Sequence, residues 1–177
     1  MKERKFIHYL KYIFIDILIA AGVSVFLITY VASAYKIDGN SMESVLSDQE
    51  RVIITKWGVK DHIHRCDIIV LHKPDEPQKS IIKRVIGLPG EVIEIREGDI
   101  YINGKKLLEP YLKLKKDIMF RSLNMKPLLI PVDHYFVVGD NRPVSHDSRI
   151  FGPVHKKYIY GKTIFRYWPF NRFGKVE

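Results

Sequence analysis

Cysteine is nearly absent from this sequence, and the chemistry that depends on it is excluded. The 177 residues include one cysteine, Cys66, so no disulfide can form within the chain and no cysteine-based metal site can be built. The seven histidines show no H-E-x-x-H spacing, and no G-x-S-x-G motif supplies a histidine triad. His62, His64 and His72 lie close together and are interpreted as surface residues. We therefore expect no metal site.

Acidic residues are fewer than basic residues, and this imbalance limits the classes of partner that the chain can bind. The chain has 29 Lys and Arg against 20 Asp and Glu, a formal net charge of +9. Nucleic acid and anionic membrane surfaces are both compatible with this excess. A hydrophobic fraction of 46% argues against disorder, and the length suits one compact domain with an appendage. No internal repeat or low-complexity tract is present.

One long run lacks charge altogether. Ile17–Tyr35 contains 19 uncharged residues and would span about 28 Å as a helix, close to the roughly 30 Å hydrocarbon core of a bilayer. Tyr12–Ile15 extends the run and places Asp16 at the headgroup boundary. The sequence therefore predicts a cytoplasmic N-terminus over 1–11, a transmembrane anchor over 12–35 and an extracytoplasmic domain over 36–177.

The orientation follows from the charges that flank the run. Basic residues dominate before it, at Lys2, Arg4, Lys5 and Lys11, and acidic residues follow it, at Asp38, Glu43, Asp48 and Glu50. The positive-inside rule places the N-terminus in the cytoplasm. A secretory signal peptide with a cleavage site at Ala32-Ser33-Ala34 is the alternative. The run is longer than an ordinary signal-peptide core, which favours an uncleaved anchor.

Beyond the run, the apolar clusters are short and β-branched. Strands are predicted at Arg51–Lys56, Asp67–His72, Ser80–Ile86, Glu91–Arg96, Asp99–Ile102, Tyr135–Val138 and Gly161–Tyr167. Turn signals separate them, the strongest being Asn103-Gly104. The spacing indicates a mainly β body, either a sandwich or barrel-like. Leu107–Pro131, which includes Lys113, Lys115 and Lys116, is expected to form an irregular flap or loop.

Ser41 and Lys83 are the candidate nucleophile and base. Ser41 follows Gly39, which allows backbone to approach a ligand closely. Lys83 lies mid-strand in Ile81–Ile86, where the alternation of side chains puts it on an apolar face. The same alternation puts Arg84 among apolar residues on the other face. A guanidinium stays charged and cannot act as a base, whereas burial can lower a lysine pKa by about 3–5 units. The alternatives are an ordinary loop serine and exposed edge-strand charges.

A third polar segment, Gly139–Arg149, follows the apolar strand at Tyr135–Val138. Its carboxylates and guanidiniums can form paired charges, and Ser145 and Ser148 can hydrogen-bond. A turn with self-contained ion pairs and a functional role are equally compatible with this composition.

At these segments the sequence resembles the type I signal peptidases, in their bacterial Ser-Lys form and the Gram-positive branch in particular. The likeness runs in order from the apolar run to Phe151-Gly152-Pro153, with long specific matches at Lys83–Gly90 and Gly139–Arg149. It implies a coiled, barrel-like β-sheet domain with one N-terminal transmembrane helix and no cofactor. It also implies secretory preproteins as substrates, with small residues at the third and first positions before the cut.

The resemblance also implies a role for each matching residue. Ser41 is expected to be the nucleophile, with its N–H in the oxyanion hole, and Lys83 the general base. Gly39 stands where some relatives carry an assisting serine. Ser145 is expected to hold the Lys83 amine in line, and Met42 to line the substrate area. Two supporting ion pairs are expected, Asp147 with Arg149 and Asp140 with Arg84.

Ser44-Val45-Leu46 departs from the family pattern, which usually has Pro-Thr-Leu. Loss of the fixed φ of proline predicts a looser turn and lower efficiency. Cys66 likewise stands where glycine is common.

Two other functions remain open on the residues alone. One is a catalytically silent homologue that acts as a membrane-anchored binding module. The other is a Ser-Lys autoprotease of the repressor type, but the apolar run occupies the place of a helix-turn-helix. Nucleic acid is therefore not expected as a partner, and the positive charge is assigned to contact with anionic membrane lipids.

Overall fold

The N-terminal helix is apolar and stands apart from the rest of the protein. The computed structural model describes residues 2–112 and 123–176, and within it helix α1 spans Lys2–Phe26 and continues as a π-helical turn at Leu27–Val31. His8–Val31 contains a window of mean hydropathy 2.3, none of it buried. At 1.5 Å per residue its 24 residues reach about 36 Å. By length and composition, this helix could cross a membrane.

The apolar helix ends earlier than the predicted membrane anchor. Ala32–Lys36 forms strand β1, although Ala32–Tyr35 was expected to complete the membrane span. The expectation was wrong there because hydropathy does not detect strand pairing. The Lys56 N–H donates to Val31 O at 2.8 Å and its Nζ donates to Ile28 O at 3.3 Å, so the helix ends against the folded body.

The body consists of two antiparallel sheets. The other strands are β2 (Arg51–Thr55), β3 (Ile68–Lys73), β4 (Glu76–Gly87), β5 (Val92–Arg96), β6 (Asp99–Ile102), β7 (Lys105–Lys106), β8 (Met125–Leu129), β9 (His134–Val138), β10 (Val154–His155), β11 (Ile159–Trp168) and β12 (Gly174–Lys175). The large sheet has the order β1-β2-β11-β3-β4-β9-β10, with β12 also on β11, and the small sheet the order β7-β6-β5-β8. Helix α2 (Ser148–Phe151) is one turn.

The mainly β body predicted from the sequence is confirmed, and each of the seven predicted strands coincides with an observed one. β8 is a correction, because the stretch Leu107–Pro131 was expected to be irregular throughout. Pro127 lies within β8, but β8 is an edge strand, where a missing N–H breaks no ladder. The lysines Lys113, Lys115 and Lys116 of that stretch lie outside the described residues.

Strand β4 runs through the centre of the core. Its residues Ile82–Gly87 are buried on both faces, because three apolar clusters surround them. Val85 packs into a cluster with Ile69 and Val137, and Ile82 into a second cluster with Met42. Ile86 reaches the third cluster, below the small sheet. A charged residue placed in this part of β4 is therefore removed from water.

Candidate active site

Ser41 lies in the turn that joins β1 to β2. Gly39 comes two residues earlier with φ of 90°, a conformation that favours glycine, and its N–H donates to Asp48 Oδ1 at 2.8 Å. The carbonyl of Ser41 accepts from Asn141 N at 3.0 Å. Hydrogen bonds therefore hold the backbone on both sides of the Ser41 side chain.

Lys83 meets Ser41 from β4, which lies three strands away from β2 in the large sheet. Its Nζ donates to Ser41 Oγ at 2.7 Å and to Ile82 O at 2.9 Å, and the residue is only 3% exposed. Burial lowers the pKa of Lys83 to about 8, although the charges of Asp147 and Asp140 act in the opposite direction. Lysine and serine are thus in direct contact at a place where burial makes the neutral amine more abundant than in an ordinary lysine.

Two buried ion pairs lie behind this contact. Arg84 donates two hydrogen bonds to the carboxylate of Asp140, from Nε to Oδ1 at 2.9 Å and from Nη2 to Oδ2 at 2.8 Å. Arg149 binds Asp147 in the same two-pronged way, with both distances at 2.8 Å. Bidentate pairs of this kind fix orientation as well as charge. Both pairs expected from the resemblance are therefore formed.

The Gly139–Ser145 corner packs tightly against Ser41. A Cβ on Gly139 would lie 2.2 Å from Ser145 Oγ and 2.4 Å from Ser41 O, so only glycine fits. The Gly139 N–H donates to Asp147 Oδ2 at 3.0 Å. Ser145 Oγ is buried without a hydrogen-bond partner in the described part of the chain, so the structure does not join it to Lys83.

The other predicted site residues lie around the same turn. Met42 is fully buried beside Ile37, Leu46 and Ile82, on the apolar side of the turn. The Ser41 N–H donates to no acceptor among residues 2–112 and 123–176, so this donor is available to a ligand. The Gly39 N–H is already engaged by Asp48.

The departures from the family pattern coincide with unusual backbone. Ser44 has φ of 101°, which proline cannot adopt, and its buried hydroxyl has no partner in the described residues. Val45 and Leu46 both donate their N–H to Met42 O, at 3.2 and 2.9 Å. The turn thus has constraints of its own. Cys66 has φ of 73°, which accounts for the frequent glycine there, and burial raises the pKa of its thiol.

Sequence reasoning missed two residues that support the site. Glu109 forms an ion pair with Arg142, whose Nε donates to Gly139 O at 3.0 Å. The ring of Tyr111 lies 3.9 Å from the guanidinium carbon of Arg84. Both residues lie in the segment that leaves β7, before β8, and reach the site only through the fold. No local spacing in the sequence signals them.

The described residues offer little to a metal ion. No group of three or more histidine, cysteine, aspartate or glutamate side chains is arranged to hold one there. The site is instead a serine, a buried lysine and a surrounding set of satisfied ion pairs. This arrangement suits proton transfer between a hydroxyl and an amine.

Comparison with known proteins identifies the family. A family model described as signal peptidase, peptidase S26, matches residues 7–168. Signal peptidase I of Bacillus amyloliquefaciens is 38% identical over 169 residues, 91% of this chain and 89% of that protein. Signal peptidase IB of Staphylococcus aureus is 37% identical over 160 residues, 81% of this chain and 82% of that protein.

A solved structure agrees with these sequence relatives. The crystal structure of a signal peptidase I from Enterococcus faecalis V583 matches with a TM-score of 0.51 and 36% identity. The match covers 57% of this chain and 96% of the other. The chain therefore belongs to the signal peptidase family, peptidase S26, and is a serine peptidase of the signal peptidase I type.

Proposed function

We propose that this protein removes N-terminal signal peptides from secreted preproteins, with Ser41 as nucleophile and Lys83 as general base. The observation that carries the proposal is the 2.7 Å contact between Lys83 Nζ and Ser41 Oγ. With a pKa of about 8, the amine is neutral in about one molecule in five at pH 7.4. An ordinary lysine would be neutral in about one in a thousand. The names of the relatives support the substrate class.

Acylation is the first step of the proposed reaction. Neutral Lys83 Nζ accepts the hydroxyl proton as Ser41 Oγ attacks the scissile carbonyl carbon. The resulting oxyanion accepts a hydrogen bond from the Ser41 N–H, which has no acceptor in the described part of the chain. Collapse of the tetrahedral intermediate breaks the C–N bond, and Lys83 gives its proton to the departing amine of the mature protein.

Deacylation completes the cycle and uses the same base. Lys83, neutral again, takes a proton from a water molecule that attacks the acyl-Ser41 ester. Collapse of this second tetrahedral intermediate returns the proton from Lys83 to Ser41 Oγ and frees the signal peptide as a carboxylic acid, which then loses its proton to solvent. Acylation passes the hydroxyl proton to the departing amine and deacylation replaces it with one from water, so the full cycle restores the amine–hydroxyl pair and uses no metal or cofactor.

The cut after small-x-small sites is part of the proposal. Met42, adjacent to the nucleophile, is fully buried and packs with Ile37, Leu46 and Ile82. With no exposed surface, Met42 does not line a substrate pocket here, so the preference for small-x-small sites rests on the resemblance to the family.

The apolar helix explains why the enzyme would act at a membrane. The flanking charges support an N-terminus in the cytoplasm and a catalytic domain on the outer side. Ser41 then lies ten residues beyond Val31, the outer end of the apolar helix. Tethering nucleophile and substrate to the same bilayer raises their effective concentration. The net charge of +9 favours contact with anionic lipids.

Cleavage of a preprotein with an Ala-x-Ala site tests the proposal. The full chain is inserted into membranes and wild type is compared with Ser41→Ala, Lys83→Ala and Lys79→Ala. Lys79 lies in β4 as well but is exposed, so its variant is the matched control. We expect cleavage by wild type and Lys79→Ala, and a loss of at least about 10³-fold in the other two.

The alternative is a catalytically silent homologue that only binds. The strained, non-proline residue Ser44 is the observation that favours it. If folded wild-type protein binds the preprotein but leaves it intact, the proposed function becomes that of a catalytically silent binding homologue.

A further inference from the structure

Two arginines from the end of the chain fasten the turn that carries Ser41. Arg166 Nη1 donates to Val45 O at 2.9 Å, and Arg172 Nη2 donates to the same oxygen at 3.2 Å. The arginines lie 121 and 127 residues further along the chain. A carbonyl oxygen has two lone pairs, so this one is fully used. The turn is therefore bound to a distant segment at a single point.

A buried carboxylate holds the two guanidiniums together. Glu50 is 3% exposed, and its oxygens lie 3.2 Å from Arg166 Nη1 and 2.5 Å from Arg172 Nη1. Arg166 also donates to Arg172 O at 2.6 Å, and Arg172 donates to Ser47 Oγ at 2.9 Å. We call Glu50, Arg166 and Arg172 the C-terminal clamp.

The clamp is attached where the turn is strained. Ser44, the residue before Val45, has φ of 101°, a backbone conformation that a non-glycine residue adopts only at an energetic cost. Such a conformation persists only when the surroundings hold it. The clamp fixes the Val45–Leu46 peptide, one residue beyond Ser44, and the N–H groups of Val45 and Leu46 bond back to Met42 O, next to Ser41. The fixed point is thus linked to the nucleophile by one short turn.

We propose that the C-terminal clamp positions Ser41 for attack by holding the Val45 carbonyl. This inference rests on the proposed peptidase function. None of the three clamp residues contacts Ser41 or Lys83 among the bonds described, so they are positioning residues that act through the turn. In the family pattern a proline restricts the turn at the place of Ser44. In this chain the guanidiniums supply the restriction from outside.

The kinetics of Arg172→Gln test the clamp. This variant removes one donor to Val45 O, and Arg166 still neutralises Glu50, so the fold is kept. We expect kcat on an Ala-x-Ala preprotein to fall about 10–100-fold while KM changes less than about twofold, because misplacement of the nucleophile affects the chemical step. The pH midpoint of kcat should not move, because Lys83 is untouched. Arg172→Lys should recover part of kcat.

Arg96→Gln is the matched control, because it removes an exposed arginine paired with Glu94 on the small sheet. Its kcat should equal that of wild type. Hydrogen exchange at the Val45 and Leu46 amides gives a second readout, independent of activity. We expect at least about tenfold faster exchange at these amides in Arg172→Gln, with protection in the small sheet unchanged.

Each outcome bears on one of the two proposals. Three outcomes would overturn the clamp as a positioning device. They are an unchanged kcat, a change in KM as large as the change in kcat, and faster hydrogen exchange throughout the protein. If wild type fails to cleave, the peptidase proposal fails, yet local exchange still decides whether the clamp holds the turn. Faster local exchange with reduced kcat and unshifted pH midpoint supports the clamp.

Discussion

Lys83 and Arg84 are adjacent, almost fully buried residues of β4, and only Arg84 has a carboxylate partner within the described residues. Arg84 is paired with Asp140 through two hydrogen bonds, whereas Lys83 bonds to a hydroxyl and a carbonyl. Alternation along β4 turns the two side chains to opposite faces. The position of Arg84 therefore stabilises a permanent cation, and that of Lys83 lowers the pKa of the amine to about 8. The contrast within one dipeptide supports the proposed role of Lys83 as a base.

The rate of peptide cleavage should depend on pH through Lys83. Because burial lowers its pKa to about 8, the fraction of neutral amine rises as pH increases toward that value. We expect kcat/KM to rise close to tenfold per pH unit below the midpoint and to level off above about pH 9. The measurement is initial cleavage of an Ala-x-Ala preprotein by the membrane-inserted chain from pH 6 to 10. A flat profile, or a midpoint near 10, would remove Lys83 from the role of base.

Lys83→Met should stabilise the protein while abolishing its activity. The folded pKa of about 8 lies below the ordinary 10.5, so between these pH values the unfolded chain binds a proton that the folded chain does not. Stability therefore rises with pH across this window, and the full cost of about 3 kcal/mol is present below pH 8. Loss of the hydrogen bond to Ser41 offsets about 1 kcal/mol. We expect a gain of about 2 kcal/mol at pH 7.

Urea unfolding of the detergent-solubilised chain, followed by tryptophan fluorescence, measures this gain. The gain should shrink as pH rises toward 10.5, and Lys79→Met, an exposed lysine of the same strand, should show none. A Lys83→Met variant less stable than wild type at pH 7 would mean that burial of the Lys83 amine does not lower the free energy of unfolding.

Gly139→Ala should damage the site without introducing any charge. The new methyl would lie 2.4 Å from Ser41 O and 2.2 Å from Ser145 Oγ, so the turn that carries Ser41 must move. We expect a loss of about 1–3 kcal/mol in the free energy of unfolding and at least about 10²-fold in kcat. Gly22→Ala, in the helix with nothing within 4 Å of the added methyl, is the control and should behave as wild type. Equal activity of the two variants would contradict the packing described.

The sequence carries the local parts of this site, and the fold brings together the rest. Period-two apolar segments predicted the strands, the requirement for a neutral base favoured Lys83 over Arg84, and the resemblance to the family then assigned Lys83 as the expected base. The spacing of residues could not reveal that Glu109 pairs with Arg142, or that Arg172 reaches Val45 O, because these contacts join segments far apart in the chain. Such pairs depend on strand order and not on local propensity.

The predicted boundary of the membrane anchor shows what hydropathy cannot detect. Ala32–Tyr35 is uncharged, so hydropathy adds it to the membrane span, yet it pairs with β2 as strand β1. The competing interaction is a backbone ladder with Arg51–Thr55, and a window over composition contains no information about it. The same holds for β8, where Pro127 argues against a strand unless its edge position is known.

Replacing Ser44 tests whether the turn after Ser41 is built as described. Proline, usual at this place in the family, fixes φ near −65° and is incompatible with the observed 101°. We expect Ser44→Pro to lose at least about 2 kcal/mol in the free energy of unfolding and to lower kcat, although it restores the family residue. Ser44→Gly should gain up to about 1 kcal/mol, because glycine adopts positive φ without strain.

Ser44→Ala separates strain from the buried hydroxyl. Alanine keeps the strained φ but removes the hydroxyl that has no partner in the described residues, so any gain it shows comes from the hydroxyl alone. Urea unfolding and kcat on the Ala-x-Ala preprotein would be measured for all three variants. A Ser44→Pro variant as stable and active as wild type would show that the turn adopts negative φ. It would also leave the C-terminal clamp without strain to hold, because the Val45 carbonyl would then follow an ordinary turn.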